Sequence, residues 1–240
     1  MKAAPVAIDA LAGLPPPRAM LFDWDNTLVD TWATIHEALN FLMRAMDKPE
    51  WSLADTRAKV RLSLREAFPL HFGERWEEAR DIYLQHFRAI HLERLTPLPG
   101  REAMLRGLAG RGIYLGVVSN KTGDLLRREV AGLGWSDLFG SIVGAGDAPI
   151  DKPACEPVRM ALAPSGVSAG DDVWFIGDTA VDMECAENSG CVGVFLGKSE
   201  APEEFSREFA RFAPRLCFAD GASLFRSLEG LRFAALRPSS

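Results

Sequence analysis

Two aspartates separated by one residue follow the first apolar stretch of the chain and could act together in chemistry. Asp23 and Asp25 come directly after Leu21 and Phe22. Ligands of open α/β sheets bind at the carboxyl ends of the strands, so we expect both carboxylates to face one crevice. Two buried carboxylates repel each other, and each is costly to desolvate unless a cation or a hydrogen-bond donor compensates. The pair therefore predicts a magnesium site, with simple capping of the next helix as the alternative.

Two later apolar segments end in residues suited to holding a phosphate. Ser119 and Asn120 follow residues 114–118, and Lys152 stands before a proline that is expected to begin a helix. A hydroxyl, a backbone amide and a compact positive charge could then meet at one sheet edge. The ordinary alternatives are a turn residue for Ser119 and a solvated charge for Lys152. We expect these residues to share a crevice with the two aspartates.

Two more acids follow the apolar residues 173–176. Asp178 and Asp182 lie one helical turn apart, where a favourable interaction with the helix dipole is the ordinary explanation for them. The same pattern at four strand ends is much harder to obtain by chance. Oxygen-rich sites of this kind suit Mg²⁺ rather than zinc or copper, and the chemistry implied is phosphoryl transfer. The candidate metal ligands are Asp23, Asp25, Asp178 and Asp182.

The elements that must position these residues alternate between helices and short apolar strands from residue 101 onward. This alternation predicts βαβ units and a parallel sheet, which makes the chain an α/β protein. After the first strand, the expected strands cover residues 114–118, 141–143, 173–176, 192–195 and 216–218. The expected helices cover residues 101–109, 123–133, 154–162, 181–188, 203–209 and 222–228.

Between the first strand and this alternating region lies a section with helical periodicity. Apolar residues recur at helical spacing over residues 35–46, and residues 51–94 continue in the same manner without strand-like alternation. The breaker cluster TPLPG at 96–100 suits a hinge between an inserted cap and the main domain. The predicted division of the chain is a flexible lead-in at 1–17, a core at 18–30 and 97–234, a helical cap at 31–96 and a tail at 235–240.

Composition narrows the classes of ligand. The 240 residues carry 27 basic and 33 acidic side chains, a formal charge of -6, which argues against broad electrostatic binding of nucleic acid or anionic membranes. No stretch approaches the roughly 20 apolar residues needed to span a bilayer, and residues 1–17 lack the order of a signal peptide. The four cysteines form no CxxC pair and are typical of free thiols in a reducing compartment. These features predict a cytoplasmic protein, monomer or homodimer.

Taken in order, the four polar motifs resemble those of the haloacid dehalogenase superfamily, specifically its phosphoglycolate phosphatase-like branch with a helical cap. The resemblance covers residues 19–197 and rests on DWDNT at 23–27, Ser119-Asn120, Lys152-Pro153 and GDTAVD at 177–182. It implies a Rossmann-like parallel sheet with helices on both faces, plus an inserted α-helical cap. It also implies a Mg²⁺-dependent phosphatase that acts on a small phosphorylated metabolite, either phosphoglycolate-like or a sugar phosphate.

The resemblance implies catalytic roles for the first two aspartates. Asp23 would be the nucleophile that takes the phosphoryl group as an aspartyl-phosphate, which divides one difficult hydrolysis into two steps. Asp25 would be the general acid that protonates the leaving alcohol and then the base that activates water.

Binding roles are implied for the remaining motif residues. Ser119, with Asn120, and Lys152 would hold the transferring phosphoryl oxygens. Asp178 would bind Mg²⁺ directly, and Asp182 would bind it through water or support Lys152.

Two positions bear on which reaction the family resemblance implies. Asn26 stands where many relatives carry glycine, and asparagine tolerates the left-handed conformation better than most residues. Trp24 is similar to the Asp-Trp start of phosphonatases, which lack the second acid and use a cap lysine to form a Schiff base. Because Asp25 is present, a phosphate ester is favoured. Phosphonatase-like or sugar phosphomutase activity is the alternative among enzymes, and a non-catalytic phospholigand-binding regulator is the alternative of another class.

Substrate selection would belong to the cap, whose roles the core motifs do not fix. Arg61 and Arg65 are candidates, because a guanidinium can bind a substrate carboxylate with two hydrogen bonds. Solvated helix arginines are the alternative. All four histidines fall in this section, and we expect them at the cap surface or in packing rather than on a metal.

Overall fold

The computed structural model describes residues 11, 13–60, 62–197 and 202–229. Its strands are β1 (Ala19–Phe22), β2 (Val29–Asp30), β3 (Thr96–Pro97), β4 (Tyr114–Thr122), β5 (Ser141–Ala145), β6 (Val173–Gly177), β7 (Val192–Leu196) and β8 (Leu216–Phe218). One six-stranded parallel sheet has the order β5-β4-β1-β6-β7-β8, while β2 and β3 form a separate antiparallel pair. The first strand of the chain therefore lies in the middle of the sheet, between β4 and β6.

Helices fill most of the connections between these strands. In chain order they are α1 (Trp32–Ala45), α2 (Leu53–Lys59), α3 (Leu64–Phe72), α4 (Trp76–Ile90), α5 (Arg101–Gly110), α6 (Gly123–Gly132), α7 (Glu156–Leu162), α8 (Ala180–Ser189), α9 (Pro202–Glu208) and α10 (Gly221–Ser227). In the part of the chain that the structure describes, no helix combines the length and the apolar character needed to cross a membrane.

The alternation of side chains along β1 shows why the sheet carries helices on both faces. All four of its residues are completely buried, as expected for a central parallel strand. Met20 and Phe22 point into a core layer shared with α5, α6 and α10. Ala19 and Leu21 point into the opposite layer, which α7 and α8 cover. The predicted Rossmann-like sheet with helices on both faces is confirmed.

Helices α1, α3 and α4 form a second hydrophobic core above the carboxyl edge of the sheet. Their buried apolar side chains pack on one another and on Leu125 of α6. The chain enters this helical unit after β2 and leaves it through β3, and the pairing of β2 with β3 brings the two linkers together. An inserted helical cap is therefore present, while its exact limits at residues 31 and 96 stay a prediction.

Two differences between the expected and the observed limits affect the predicted motifs. β4 does not end at residue 118 but continues to Thr122, because the chain passes a register irregularity and Thr122 then pairs with Ala145 of β5. Pro153 does not begin a helix: it follows a cis peptide bond, and α7 starts at Glu156. Much of the predicted lead-in and the whole predicted tail lie outside the described residues.

Candidate active site

Asp23 is delivered to the carboxyl edge of the sheet because β1 ends one residue before it. The Asp23 N–H donates to the Ile176 carbonyl oxygen at 2.8 Å and so prolongs the pairing of β1 with β6. Asn26 then adopts a left-handed conformation with φ 61°. Its Oδ1 accepts a hydrogen bond from the Thr31 N–H at 3.2 Å. Asparagine supports the turn here as the sequence predicted.

Lys152 bridges two buried carboxylates at the centre of the site. Its Nζ lies 2.7 Å from Asp23 Oδ1 and 2.7 Å from Asp182 Oδ1. Burial alone would lower the pKa of Lys152, but Asp182 and Asp23 outweigh burial and raise that pKa above its usual value. The Asn120 amide binds both the N–H and the carbonyl of Lys152, each at 3.1 Å. Asn120 therefore fixes the main chain of the lysine.

Three carboxylates meet closely enough to hold a metal ion. Asp23, Asp178 and Asp182 each offer an oxygen, and these atoms lie within 4.8 Å of one another. Thr27 Oγ1 donates to Asp178 Oδ1 at 3.0 Å, and Asp182 Oδ2 accepts from the Thr179 N–H at 3.0 Å and from its hydroxyl at 2.7 Å. A set of carboxylate oxygens fits Mg²⁺, a hard cation that prefers oxygen ligands.

Gly177 allows this approach of Asp182 to the end of β6. A Cβ at position 177 would collide with the Asp182 side chain. Any larger residue would therefore push Asp182 away from Lys152. Glycine is thus required at position 177 for steric reasons, which the motif alone did not indicate.

The electrostatics of the carboxylate group also call for a cation. Burial, together with the charges of Asp182 and Asp25, raises the pKa of Asp23 to about 6, although Lys152 opposes the shift. Burial and the charges of Asp182 and Asp23 hold the pKa of Asp178 well above its usual value. One lysine is thus insufficient to compensate three crowded acids, and a divalent cation would relieve the remaining repulsion.

Asp25, the fourth predicted metal ligand, does not belong to this carboxylate group. Its Oδ1 lies 2.7 Å from Lys121 Nζ, and the same ammonium lies 2.7 Å from Glu129 Oε2. Glu129 also accepts from Trp24 Nε1 at 2.6 Å, and its Oε1 lies 2.7 Å from His91 Nδ1. A second buried network, which we call the Lys121 network (Lys121, Glu129, Trp24 and His91), therefore holds Asp25.

Sequence reasoning missed the Lys121 network, although two signals were present. Lys121 directly follows the Ser119-Asn120 motif. Glu129 occupies a position on α6 that the helical period places beside Leu125, Leu126 and Val130, which are all buried. An acid at an apolar position of a helix indicates a buried partner. Burial alone would raise the pKa of Glu129, but Lys121, His91 and Trp24 hold it below its usual value.

A cavity of about 120 Å³ lies between the core and the cap. The core lines it with the motif residues: Asp23, Asp25, Ser119, Asn120, Lys152, Asp178 and Asp182. The cap lines it with mostly apolar side chains: Trp32, Ile35, Val60, Leu62, Leu64, Tyr83 and Phe87. Every core residue predicted from the four motifs therefore faces one cavity, which the cap lines on its other side.

Arg65 contacts the core instead of lining the cavity. Its Nε and Nη2 bind the two oxygens of Asp151 at 2.6 Å each, and Nη2 also donates to the carbonyl oxygens of Ala148 and Pro149. Asp151 is buried and directly precedes Lys152. The guanidinium thus joins cap helix α3 to the loop that carries Lys152, and its predicted contact with substrate stays a prediction. The other candidate, Arg61, lies outside the described residues.

The histidines of the cap contact other residues than the three carboxylates Asp23, Asp178 and Asp182. His36 Nδ1 lies 2.9 Å from Thr56 Oγ1, and His86 stacks on Phe41. His91 is buried against Glu129, as described above. These contacts agree with the expected packing role.

Comparison with known proteins agrees with the motifs. The model of the family described as haloacid dehalogenase-like hydrolase matches residues 20–195. A phosphoglycolate phosphatase from Rhodospirillum rubrum is 31% identical over 221 residues, covering 87% of this chain and 89% of the relative. One from Cereibacter sphaeroides is 31% identical over 181 residues, covering 71% and 81%. A solved haloacid dehalogenase-like family hydrolase from Streptococcus pneumoniae, 19% identical, shares the fold with a TM-score of 0.76 and covers 89% of this chain and 99% of its own.

Proposed function

This chain belongs to the haloacid dehalogenase-like hydrolases and is a phosphatase, and we propose that it hydrolyses a small phosphomonoester through an aspartyl-phosphate on Asp23. The observation that supports this most strongly is the setting of Asp23. Its carboxylate lines the cavity, binds Lys152, and lies beside Asp178 and Asp182. A nucleophile in this setting attacks a phosphorus atom whose oxygens are already neutralised.

In the first step, an oxygen of Asp23 forms a bond to phosphorus as the bond from phosphorus to the ester oxygen breaks. The proton that the leaving alcohol needs comes from Asp25, which lines the same cavity. In the second step, Asp25 takes a proton from water, the water oxygen bonds to phosphorus, and the bond to Asp23 breaks. The carboxylate of Asp23 is thereby regenerated and inorganic phosphate is released.

Phosphate binding is assigned to the residues that surround Asp23. Lys152 is charged and buried, and Ser119 lies on β4 with its side chain at the cavity. Both would hold phosphoryl oxygens, while Asn120 keeps Lys152 in place. A bound Mg²⁺, held by Asp23, Asp178 and Asp182, would neutralise charge on the phosphate and orient it.

The alternatives are less well supported by the described residues. A phosphonatase needs a cap lysine that reaches the substrate, and neither Lys48 nor Lys59 of the cap lines the cavity. A sugar phosphomutase would use the same core residues and must protect its aspartyl-phosphate from water, so only turnover distinguishes it. A non-catalytic regulator is expected to lack a motif residue, and none is missing here.

The substrate is proposed to be a small metabolite rather than nucleic acid or membrane lipid, in a cytoplasmic protein that is a monomer or homodimer. The formal charge of -6 supports the first part. The volume of the cavity, about 120 Å³, suits a small leaving alcohol. 2-Phosphoglycolate and sugar phosphates are the first candidates, the former because the relatives at 31% identity carry the name phosphoglycolate phosphatase.

Turnover of a phosphate panel, with and without metal, tests this function. We expect phosphate release from 2-phosphoglycolate, glycerol 2-phosphate or a sugar phosphate in the presence of Mg²⁺ and loss of that release in excess EDTA. Asp178→Asn should weaken metal dependence and turnover together, whereas Asp137→Asn, an exposed matched control, should leave both unchanged. Full activity in excess EDTA, or no release from any ester, would show that the proposal is wrong.

A further inference from the structure

The Lys121 network is a set of buried polar groups that phosphoryl transfer does not itself require. The side chains of Lys121 and Glu129 are 5% and 1% exposed, and His91 and Trp24 are also buried. Burying charged groups is costly unless each one is paired and hydrogen-bonded. Here every one of them has partners at 2.6–2.7 Å. Such a network points to a specific use.

The network reaches the cavity at Lys121 and at Asp25, and Asp25 is its most exposed side chain. The Asp25 side chain is 20% exposed, in contrast to the lysine and glutamate behind it. The contacts run from His91 to Glu129, from Glu129 to Lys121, and from Lys121 to the Asp25 carboxylate. Trp24, the neighbour of Asp25 in the chain, is bound to the same glutamate. Glu129 thus holds the Asp23–Asp25 loop directly at Trp24 and, through Lys121, at Asp25.

The network also includes the cap. His91 directly follows helix α4, and its ring stacks on Phe87 of that helix with ring centres 5.2 Å apart. The Lys121 ammonium lies 5.1 Å from the centre of the same Phe87 ring. Cap helix α4 therefore contacts the lysine through Phe87 and the glutamate through His91, close to the linker where the cap joins the core.

We propose that Lys121 is a positioning residue that orients the Asp25 carboxylate toward the substrate, and that Glu129, bound to Trp24 and His91, holds Lys121 in place and makes its position depend on the cap. The inference rests on the proposed function, because it gives Asp25 an acid–base role that requires a fixed orientation. Proton transfer depends steeply on the placement of the donor, and a displacement of about 1 Å can cost about 100-fold in rate. Lys121 also lines the cavity, but in this role it acts through Asp25 and not through a contact with the phosphate.

Single substitutions should reduce turnover in a graded order. Lys121→Met is expected to lower kcat for glycerol 2-phosphate roughly 10- to 100-fold with little change in KM, because Asp25 loses its partner. Lys121→Arg should restore part of that loss by keeping the charge. Trp24→Phe, which removes one contact of Glu129, and Glu129→Gln, which removes its charge but keeps its shape, should cost less. Lys48→Met and Glu102→Gln are exposed matched controls and should behave as wild type.

A double-mutant cycle between Lys121 and Asp25 decides whether the lysine acts through the aspartate. In an Asp25→Ala background, Lys121→Met should cause no further loss of kcat. A general loss of structure, or direct phosphate binding by Lys121, would instead give the same loss in both backgrounds or a large rise in KM, and either result would overturn the inference.

The same cycle with Glu129→Gln replaces the lysine series if Lys121→Met does not fold. Wild-type turnover tests the proposed function separately, so an active wild type with an additive cycle would contradict only the positioning role. A cycle in which the loss from Glu129→Gln disappears in the Asp25→Ala background supports it.

Discussion

Two lysines on the same edge of the sheet each bridge two carboxylates at 2.7 Å, yet their surroundings differ. The partners of Lys152, Asp23 and Asp182, belong to a group of acids that could share a metal ion. The partners of Lys121, Asp25 and Glu129, lie outside that group. The comparison teaches that similar buried ion pairs serve two purposes. In the proposed mechanism, one compensates charge where phosphate would bind, and the other orients the acid that would donate a proton.

Asp25→Ala should reduce turnover the most, because Asp25 is the partner of Lys121 that takes part in the proposed proton transfer. We expect kcat for glycerol 2-phosphate to fall roughly 10²- to 10⁴-fold, the usual contribution of general acid–base catalysis. The loss should be smaller for p-nitrophenyl phosphate, whose leaving group departs without a proton, and a burst of nitrophenol should precede slow turnover. If wild type and variant hydrolyse both esters equally and without a burst, Asp25 is structural and the Lys121 network has no acid to position.

Lys152→Met and Lys121→Met should separate the two ion pairs by their response to metal. Each leaves buried carboxylates without their partner, which typically lowers the free energy of unfolding by about 3–5 kcal/mol. Added Mg²⁺ should restore more stability to Lys152→Met than it gives wild type, because a cation can replace the ammonium among three acids. Lys121→Met should gain only as much as wild type. Denaturant unfolding with and without Mg²⁺ measures this, with Lys48→Met as control; equal gains for both lysine variants would remove the distinction.

The stabilisation by Mg²⁺ should depend on pH. The pKa of Asp23 is raised from 3.8 to about 6, so its ionised form destabilises the metal-free folded protein above pH 6. This penalty declines as the pH falls below about 6 and is lost below about pH 4, where both the folded and the unfolded chain bind the proton. We therefore expect a larger Mg²⁺-induced gain in the free energy of unfolding at about pH 8 than at about pH 5. A gain that is the same at both pH values would contradict the crowding of acids around Lys152.

Arg65→Met should have the smallest effect on activity. It tests the contact between the cap and the loop that carries Lys152. If the guanidinium holds the cap on Asp151, the substitution should raise KM by about two- to fivefold for every ester, the effect of a partly exposed ion pair. If Arg65 instead binds a substrate carboxylate, only 2-phosphoglycolate should be affected. Arg75→Met, which breaks an exposed pair with Glu78 on the same cap, is the matched control.

The two ion pairs also differ in how far the sequence predicted them. Asp23, Lys152 and Asp182 could be predicted to meet, because each follows a strand of one parallel sheet, and the carboxyl ends of such strands share an edge. The family followed from the order of these motifs, the α/β fold from the alternation of helices and short apolar strands, and the inserted cap from the helical periodicity before residue 96. These predictions depend on local patterns that the chain repeats at each strand.

The Lys121 network could not be assembled in this way. Glu129 lies on the buried face of α6, and His91 follows the last cap helix, so their meeting depends on how the cap sits on the core. The contact of Arg65 with Asp151 has the same origin, since nothing near either residue in the sequence indicates the other. Such pairs form where the cap packs on the core, and the local periodicity of the sequence does not indicate how these two units pack.

Trapping the phosphorylated state of Asp23 tests the central claim most directly. Fluoroberyllate with Mg²⁺ mimics an aspartyl-phosphate, and a crystal structure of the complex would show where it binds. We expect fluoroberyllate on the Asp23 carboxylate and on no other residue, and none in Asp23→Asn, which keeps the shape but attacks phosphorus poorly. Fluoroberyllate bound to Ser119, or unchanged binding in Asp23→Asn, would contradict the assignment of Asp23 as the nucleophile.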